Sequence, residues 1–251
     1  MKKVLIPIPS YGFDPTEMAI PWLFLRKNGF AVIFATPSGK KGEADKIMLN
    51  GHGLGLFSSL LIARKDTINA YSEMENSQDF LNPISYSDIY PDEFDGVFLP
   101  GGHHKGVKEY LESDTLHSLM VEFFAKGKKA AAVCHGPLLL AKSINPENGR
   151  SVIYEYKTTS LLKIQEYLAY YLTKAWAGDY YLTYPGLSVE DEVKASLKSK
   201  KQFVRGNLPL FRETPEKPKR GFFVKDRNYV SARWPGDIYS LSFAFISLLK
   251  D

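Results

Sequence analysis

Short apolar runs alternate with helical patterns along this chain. The clearest runs cover residues 4–8, 31–35, 96–99 and 130–133, and turn-forming residues bound each of them. Alternation of this kind is typical of a parallel β-sheet covered by helices on both faces. We therefore predict an α/β protein built on a doubly wound, mostly parallel sheet.

The predicted helices are marked by their end signals. The first has Asp14 as its N-cap, Pro15 at its first position, Glu17 at the capping-box position and Gly29 as its stop. Further helices are predicted over residues 116–126, 137–142 and 161–176 and from about residue 237. A turn at 226–228 separates two short closing strands.

Length and composition allow one full hydrophobic core. The chain has 251 residues, 44% of them hydrophobic, which suits a single α/β domain covering residues 1–251. Residues 155–220 fit the alternation poorly, and we predict that they form an insertion or cap beside the site. Prolines interrupt the apolar start, which predicts a strand there, and we expect no membrane-spanning segment.

Charge and cysteine content limit the partners and the compartment. Residues 194–220 contain nine lysines and arginines but only two glutamates, whereas the net charge of the whole chain is +4. A basic surface can bind nucleic acid, but no interleaved aromatic residues or known motif accompany this charge. We interpret it as a solvated loop and expect no nucleic-acid partner.

A single cysteine excludes an intrachain disulfide and favours the reducing cytoplasm.

The single cysteine, Cys134, ends the last apolar run within Ala-Ala-Val-Cys-His-Gly-Pro at 131–137. Small residues two positions away, Ala132 and Gly136, allow the sharp strand-to-helix turn called a nucleophile elbow. The helix that follows favours a thiolate through its dipole. A buried structural thiol is the alternative. The apolar run, however, stops directly after Cys134 at the polar His135 and the turn pair Gly136-Pro137, which favours a nucleophile.

Three polar loops, at 10–17, 100–104 and 134–135, follow predicted strands. Because ligands in open α/β sheets bind at the carboxyl ends of the strands, we expect these loops to converge. His135 is the candidate base for Cys134, although side chains adjacent in sequence need not touch after a sharp turn. Glu17 is either a capping residue or a general acid/base that faces the thiol.

The glycine-rich loop at 100–104 also has two interpretations. Gly101 and Gly102 either serve a turn or allow a backbone amide to approach a developing oxyanion. Gly101 and His103 are our candidate substrate-binding residues. His103 and His104 could bind zinc, but the sequence holds no spaced partner motif for a metal and no nucleotide-binding motif. We expect neither a metal nor a cofactor.

Together these motifs resemble the PfpI/ThiJ superfamily. They are the run at 131–137, Leu-Pro-Gly-Gly-His at 99–103 and Gly-Phe-Asp-Pro-Thr-Glu at 12–17. The resemblance implies a flavodoxin-like fold of the class I glutamine-amidotransferase type. The length, and the spacing from Cys134 to 149–150, are similar to the stress-chaperone and glyoxalase III branch.

That branch implies a triad of Cys134, His135 and a carboxylate about thirty residues further on. Glu166 stands at the matching place, and Asp179 is the alternative. The resemblance also gives Glu17 a catalytic place beside the thiol.

The resemblance further implies an oxyanion hole formed by the amides of Gly102 and His135. His104 and Lys105 depart from the smaller residues often found after the loop histidine, which predicts a narrower or more charged pocket mouth.

The implied activity is cofactor-free conversion of methylglyoxal or a related 2-oxoaldehyde to a 2-hydroxy acid, or deglycation at the same site. The alternatives are a cysteine peptidase or amidase, and a stress-responsive holdase or redox sensor. For a holdase, the aromatic segment 167–184 is the candidate apolar surface. Dimerisation is common in the resembled family, so a homodimer is a further expectation.

Overall fold

A computed structural model describes residues 1–51, 62–209, 211–218 and 220–251. The strands are β1 (Lys3–Pro7), β2 (Tyr11–Phe13), β3 (Ala31–Thr36), β4 (Glu43–Ala44), β5 (Ile84–Ser85), β6 (Gly96–Leu99), β7 (Lys129–Val133), β8 (Ile144–Asn145), β9 (Arg150–Ser151), β10 (Phe223–Asp226) and β11 (Tyr229–Ala232). The helices are α1 (Pro15–Lys27), α2 (Lys46–Asn50), α3 (Lys65–Glu75), α4 (Gln78–Leu81), α5 (Lys108–Leu111), α6 (Asp114–Ala125), α7 (Gly136–Lys142), α8 (Lys163–Ala177), α9 (Val189–Ala195) and α10 (Ile238–Lys250).

Seven strands form one sheet in the order β10-β11-β7-β6-β1-β3-β5. All neighbours are parallel except β10, which pairs antiparallel with β11. The predicted doubly wound, mostly parallel sheet is therefore confirmed. From β1 the chain proceeds to β3 and β5 on one side and to β6, β7 and β11 on the other. The switch point between β1 and β6 is where such sheets bind ligands.

The long predicted elements are found close to their expected bounds. The four predicted strands differ from β1, β3, β6 and β7 by at most one residue at either end. Every residue of β6 is buried, as are the last four of β1 and of β7. Burial on both faces explains why these strands are continuous apolar runs rather than alternating ones.

Helix α1 begins as predicted but not with the predicted capping box. Asp14 Oδ1 accepts hydrogen bonds from the amides of Thr16 at 2.7 Å and Glu17 at 3.1 Å, and Pro15 opens the helix. The Glu17 carboxylate does not return to the cap. Instead Oε2 accepts a hydrogen bond from the Gly101 amide at 2.7 Å, because the helix start lies against the loop after β6.

The basic stretch is partly paired with acidic residues. Lys194 and Arg205 both bind the buried carboxylate of Glu190, and Lys198 Nζ lies 3.0 Å from Glu155 Oε1. Lys219 lies outside the described residues.

Within the basic stretch 194–220, predicted to be a solvated loop, Leu208 and Phe211 are exposed. The expectation is wrong at Glu213, which is buried. Its Oε1 accepts a hydrogen bond from the Gly221 amide and its Oε2 one from the Ser240 amide, each at 2.9 Å. Among the helices that the structure describes, none combines the length and hydropathy that a membrane span requires.

Candidate active site

The predicted elbow is present at Cys134. Its φ is +58°, in the left-handed region, between the end of β7 and the start of α7. For a residue with a side chain this conformation costs about 1–2 kcal/mol, and such strain is typical of functional sites. At Gly136 a Cβ atom would lie 2.1 Å from the carbonyl oxygen of Leu99, so the turn leaves room for glycine alone.

Loops from β1, β6 and β7 converge on the elbow, as predicted. The Asp14 amide donates to the Gly101 carbonyl at 3.0 Å, which joins the first loop to the second. A Cβ atom on Gly101 would lie 2.6 Å from the amide nitrogen of His135 and 2.9 Å from Cβ of Cys134. The glycine therefore lets the second loop pack directly against the elbow.

The close packing at Gly101 gives a first testable prediction. Gly101→Ala forces a methyl group against the His135 amide and the Glu17 carboxylate, where neither can retreat without moving the elbow. We expect a destabilisation of about 1–3 kcal/mol, as for other overpacked positions, and activity reduced roughly 10²-fold, as when an oxyanion donor is lost. Thermal unfolding and steady-state kinetics measure the two effects. Gly127→Ala is the control for activity: no described atom lies within 4 Å of its added methyl group, but its φ of +65° strains alanine, so it should lose about 1–2 kcal/mol of stability and keep wild-type activity. Wild-type activity in Gly101→Ala would contradict the prediction.

His135 touches Cys134 directly. Its Nδ1 lies 3.2 Å from Sγ, and its Nε2 lies 2.7 Å from Oγ1 of Thr183. Cys134 is 1% exposed and the other two are fully buried. Thr183 follows α8, in the segment expected to form a cap, and it belongs to no motif. Nothing in the local sequence marks it as a partner of His135.

Neither predicted carboxylate bonds to His135, which corrects the expected triad. Glu166 is buried in the first turn of α8, and its Oε2 accepts a hydrogen bond from the Val189 amide at 3.0 Å. Burial raises the pKa of Glu166 to about 7. Asp179 is largely exposed and pairs with Lys105 at 3.4 Å. Spacing along the chain brought both near the site but did not fix which side chain meets the ring.

Glu17 and Cys134 form a buried acidic pair. Burial raises the pKa of Glu17 well above its ordinary value, and the negative charge of Asp14 raises it further. Burial likewise raises the pKa of the Cys134 thiol, followed by the charges of Glu17 and Asp14. Two such neighbours cannot both ionise readily, so they titrate as a pair that shares a proton. Within the described chain, Glu17 Oε1 has no hydrogen-bond partner.

The two histidines of the site are neutral at physiological pH. Burial, and then the neighbouring His103, lowers the pKa of His135 well below its ordinary value. Burial lowers the pKa of His103 to about 4. The two ring centroids are 5.2 Å apart, and the Tyr181 ring lies 4.8 Å from that of His103. Within the described chain, His103 Nδ1 and the Tyr181 hydroxyl have no hydrogen-bond partner, so they can bind the oxygens of a ligand.

His104 and Lys105 shape the rim of the site. His104 Nδ1 accepts from the Gly106 amide at 3.0 Å, and its ring packs edge-on against Tyr11. Lys105 Nζ donates to the carbonyls of Asp179, at 2.9 Å, and Leu182. Lys105 thereby ties the segment that carries Tyr181 and Thr183 to the loop after β6. The described residues contain no cluster of three or more His, Cys, Asp or Glu side chains suited to a metal ion.

The chain is similar to several known proteins. A protein of Schizosaccharomyces pombe named as a glutathione-independent glyoxalase is 28% identical over 157 residues, which are 62% of each chain and thus less than two thirds of that relative. A protein of Pyrococcus abyssi named as a deglycase is 23% identical over 248 residues, 99% of each chain. The crystal structure of glyoxalase III from Candida albicans superposes with a TM-score of 0.69 at 21% identity, covering 98% of this chain and 97% of that one.

The structural likeness shows the shared flavodoxin-like fold. The family model described as ThiJ/PfpI family-like matches residues 8–206, a range that includes all three converging loops, Glu166 and Thr183. The chain therefore belongs to the ThiJ/PfpI-like family.

Proposed function

We propose that the protein is a glutathione-independent glyoxalase III-type enzyme that converts methylglyoxal or a related 2-oxoaldehyde to the 2-hydroxy acid. The observation that carries the proposal is the buried pair of Cys134 and Glu17, a nucleophile and a proton carrier in contact beside a neutral His135. Relatives named as glyoxalase and deglycase support it.

In the first step Cys134 Sγ attacks the aldehyde carbon. The thiol proton passes to Glu17, which returns it to the carbonyl oxygen, so a hemithioacetal forms and Glu17 is again a carboxylate. The amides of Gly102 and His135 are the proposed donors to the oxygen while it carries negative charge. His103 Nδ1 and the Tyr181 hydroxyl, which lack protein partners among the described residues, are the proposed hydrogen-bond donors to the ketone oxygen.

In the second step Glu17 removes the proton from the former aldehyde carbon and delivers it to the ketone oxygen, which gives an enediol. The hydroxyl on the sulfur-bearing carbon then loses its proton to Glu17, which delivers it to the neighbouring carbon and gives the thioester of the 2-hydroxy acid on Cys134. Water hydrolyses this thioester, which releases the acid and restores the thiol. The sum is methylglyoxal plus water giving lactate, so the reaction needs no external oxidant, reductant or glutathione.

The direct test is methylglyoxal consumption and lactate formation by the purified protein without glutathione. We expect one lactate for each aldehyde consumed, because the internal proton transfer loses no atoms. Consumption without lactate would indicate chemical modification of the protein rather than turnover. No consumption by folded wild-type protein would contradict the proposal. A deglycase would instead act on a preformed adduct of the aldehyde. It would release the acid faster than the adduct alone releases free aldehyde.

The cover over Cys134 favours a small substrate over a peptide. His103 and Tyr181 lie above the elbow, and the Tyr180 hydroxyl donates to the buried Asp45 carboxylate. A peptide chain could not reach the thiol past this cover, which disfavours the peptidase alternative.

A holdase is the second candidate, and an exposed apolar face of α8 favours it. Its large side chains are between 38% and 59% exposed and comprise Ile164, Leu168, Tyr171, Leu172 and Trp176. This face begins before the expected 167–184 segment, at Ile164, and it ends at Trp176 because Tyr180 and Tyr181 are buried in the site. Homodimerisation, a cytoplasmic location and the absence of a nucleic-acid partner stay predictions.

A further inference from the structure

We propose that Thr183 positions His135 by donating its hydroxyl proton to Nε2, which holds the ring as the neutral Nδ1–H tautomer, so that the ring donates to Cys134 and is not its base. The assignment deepens the proposed function and rests on Cys134 being its nucleophile. Thr183 then acts through His135 and takes the place where a carboxylate was expected.

The single thiol proton of Cys134 determines which group donates and which accepts in the hydrogen bonds that follow from Cys134 to His135 and Thr183. A thiol has one proton to donate. Glu17 Oε1 is buried and has no hydrogen-bond partner among the described groups, and the Glu17 side chain lies close enough to the thiol for each to shift the pKa of the other. Because an unsatisfied buried acceptor is costly, the thiol proton belongs on the Glu17 side. Sγ is then free to accept from His135 Nδ1, 3.2 Å away.

The position of the ring proton also determines the direction of the hydrogen bond between His135 and Thr183. If Nδ1 carries the ring proton, Nε2 of the neutral imidazole must accept a hydrogen bond. The Thr183 hydroxyl, 2.7 Å away and fully buried, is the one described group that bonds to this nitrogen. The opposite tautomer would direct the thiol proton to Nδ1 and leave Glu17 Oε1 without a donor. The observed contacts therefore favour donation from Thr183.

Threonine has a different effect from the expected carboxylate because it carries no charge. A carboxylate at Nε2 would stabilise imidazolium, which suits a histidine that acts as the base. Cys134 and His103 lie against this ring, and the carboxyl groups that act on Cys134 are Glu17 and Asp14 at the start of α1 and Glu166 of α8. None of the anions among them bonds to His135, so the ring stays a neutral donor that stabilises the thiolate.

The decisive variants are Thr183→Val, which removes the hydroxyl at nearly constant shape, and Thr183→Ser, which keeps it. Thr173→Val is the matched control, because Thr173 is also fully buried but bonds only within α8, to the Ala169 carbonyl. Since the chain has one cysteine, the rate of alkylation by iodoacetamide against pH reports on Cys134 alone. The ¹⁵N NMR shifts of the imidazole, assigned by their loss in His135→Gln, report the tautomer.

We expect the Nδ1–H tautomer in the wild-type protein and its loss in Thr183→Val. Without the Nδ1–H donor the thiolate is less stable, so the alkylation midpoint should move to higher pH. Methylglyoxal turnover should show kcat reduced roughly 10- to 100-fold, in the lower range for a misplaced proton-transfer group, with KM little changed. Thr183→Ser should restore both readouts, and Thr173→Val should match the wild type.

Two results would overturn the assignment. One is an Nε2–H tautomer in the wild-type protein, a measurement that needs no Thr183 variant and so stands even if Thr183→Val fails to fold. The other is a folded Thr183→Val protein with the wild-type alkylation profile. Both readouts work on a protein that turns over no methylglyoxal, so failure of the proposed function and failure of this inference are distinguishable.

Discussion

Replacing Cys134 with alanine is expected to abolish turnover of methylglyoxal, with kcat/KM reduced on the order of 10⁴-fold or more, as when a covalent nucleophile is removed. No other described side chain of the site supplies a nucleophile that could replace the thiol: Glu17 bonds to Gly101, and Thr183 bonds to His135. Steady-state lactate formation measures the loss.

The fold should survive this change. Cys134 is a small buried residue, and alanine removes one sulfur atom while keeping a Cβ in the same strained backbone conformation. We therefore expect a cooperative thermal transition within a few degrees of the wild type. Cys134→Ser preserves the shape and tests acidity instead, and it should be comparably inactive because a buried hydroxyl does not ionise near neutral pH. Lactate formation by Cys134→Ala above a few per cent of the wild-type rate would remove Cys134 as the nucleophile.

The Cys134→Ala protein also separates the two candidate functions. The exposed side chains of α8 do not depend on the thiol, so suppression of client aggregation should be unchanged if the protein is a holdase. An exposed apolar face can act without turnover. If a folded Cys134→Ala protein lost both methylglyoxal turnover and suppression of aggregation, the function of the apolar face would depend on the catalytic site.

The central fold could be predicted because its strands are buried on both faces. Continuous apolar runs such as 96–99 then mark parallel strands directly, and capping residues such as Asp14 mark where helices begin. The shortest elements left no such signal. A two-residue strand like β4 or a five-residue helix like α2 is shorter than one hydrophobic period, and only its tertiary contacts define it.

The site was predictable as far as sheet geometry controls it. Parallel strands bring the loops after β1, β6 and β7 to one edge, which placed Glu17, Gly101 and Cys134 together. The partner of His135 comes from residues 155–220, where no strand order fixes the approach. The family resemblance implied Glu166, but that carboxylate accepts a hydrogen bond from the Val189 amide, and Thr183 bonds to the ring instead.

Changing Glu17 to glutamine should reduce turnover and make the thiol more acidic at the same time. Glutamine cannot accept the thiol proton or carry a proton between the substrate carbons, so kcat should fall roughly 10²- to 10⁴-fold, the usual range for a general acid/base. The negative charge of Glu17 is one cause of the raised pKa of Cys134. With that charge gone, the pKa of Cys134 falls, and the alkylation midpoint should move to lower pH.

The matched control is Asp14→Asn, which also replaces a buried carboxylate near the thiol. Asparagine is a good N-cap, so α1 should remain capped through the amides of Thr16 and Glu17. Because the charge of Asp14 also raises the pKa of Cys134, the alkylation midpoint should again move to lower pH, but turnover should stay within about tenfold of the wild type because Glu17 remains. Of the two variants, only Glu17→Gln is therefore expected to combine a more acidic thiol with a large loss of turnover. If Glu17→Gln keeps full turnover, the proton must leave Cys134 by another route, and His135 would be the base after all.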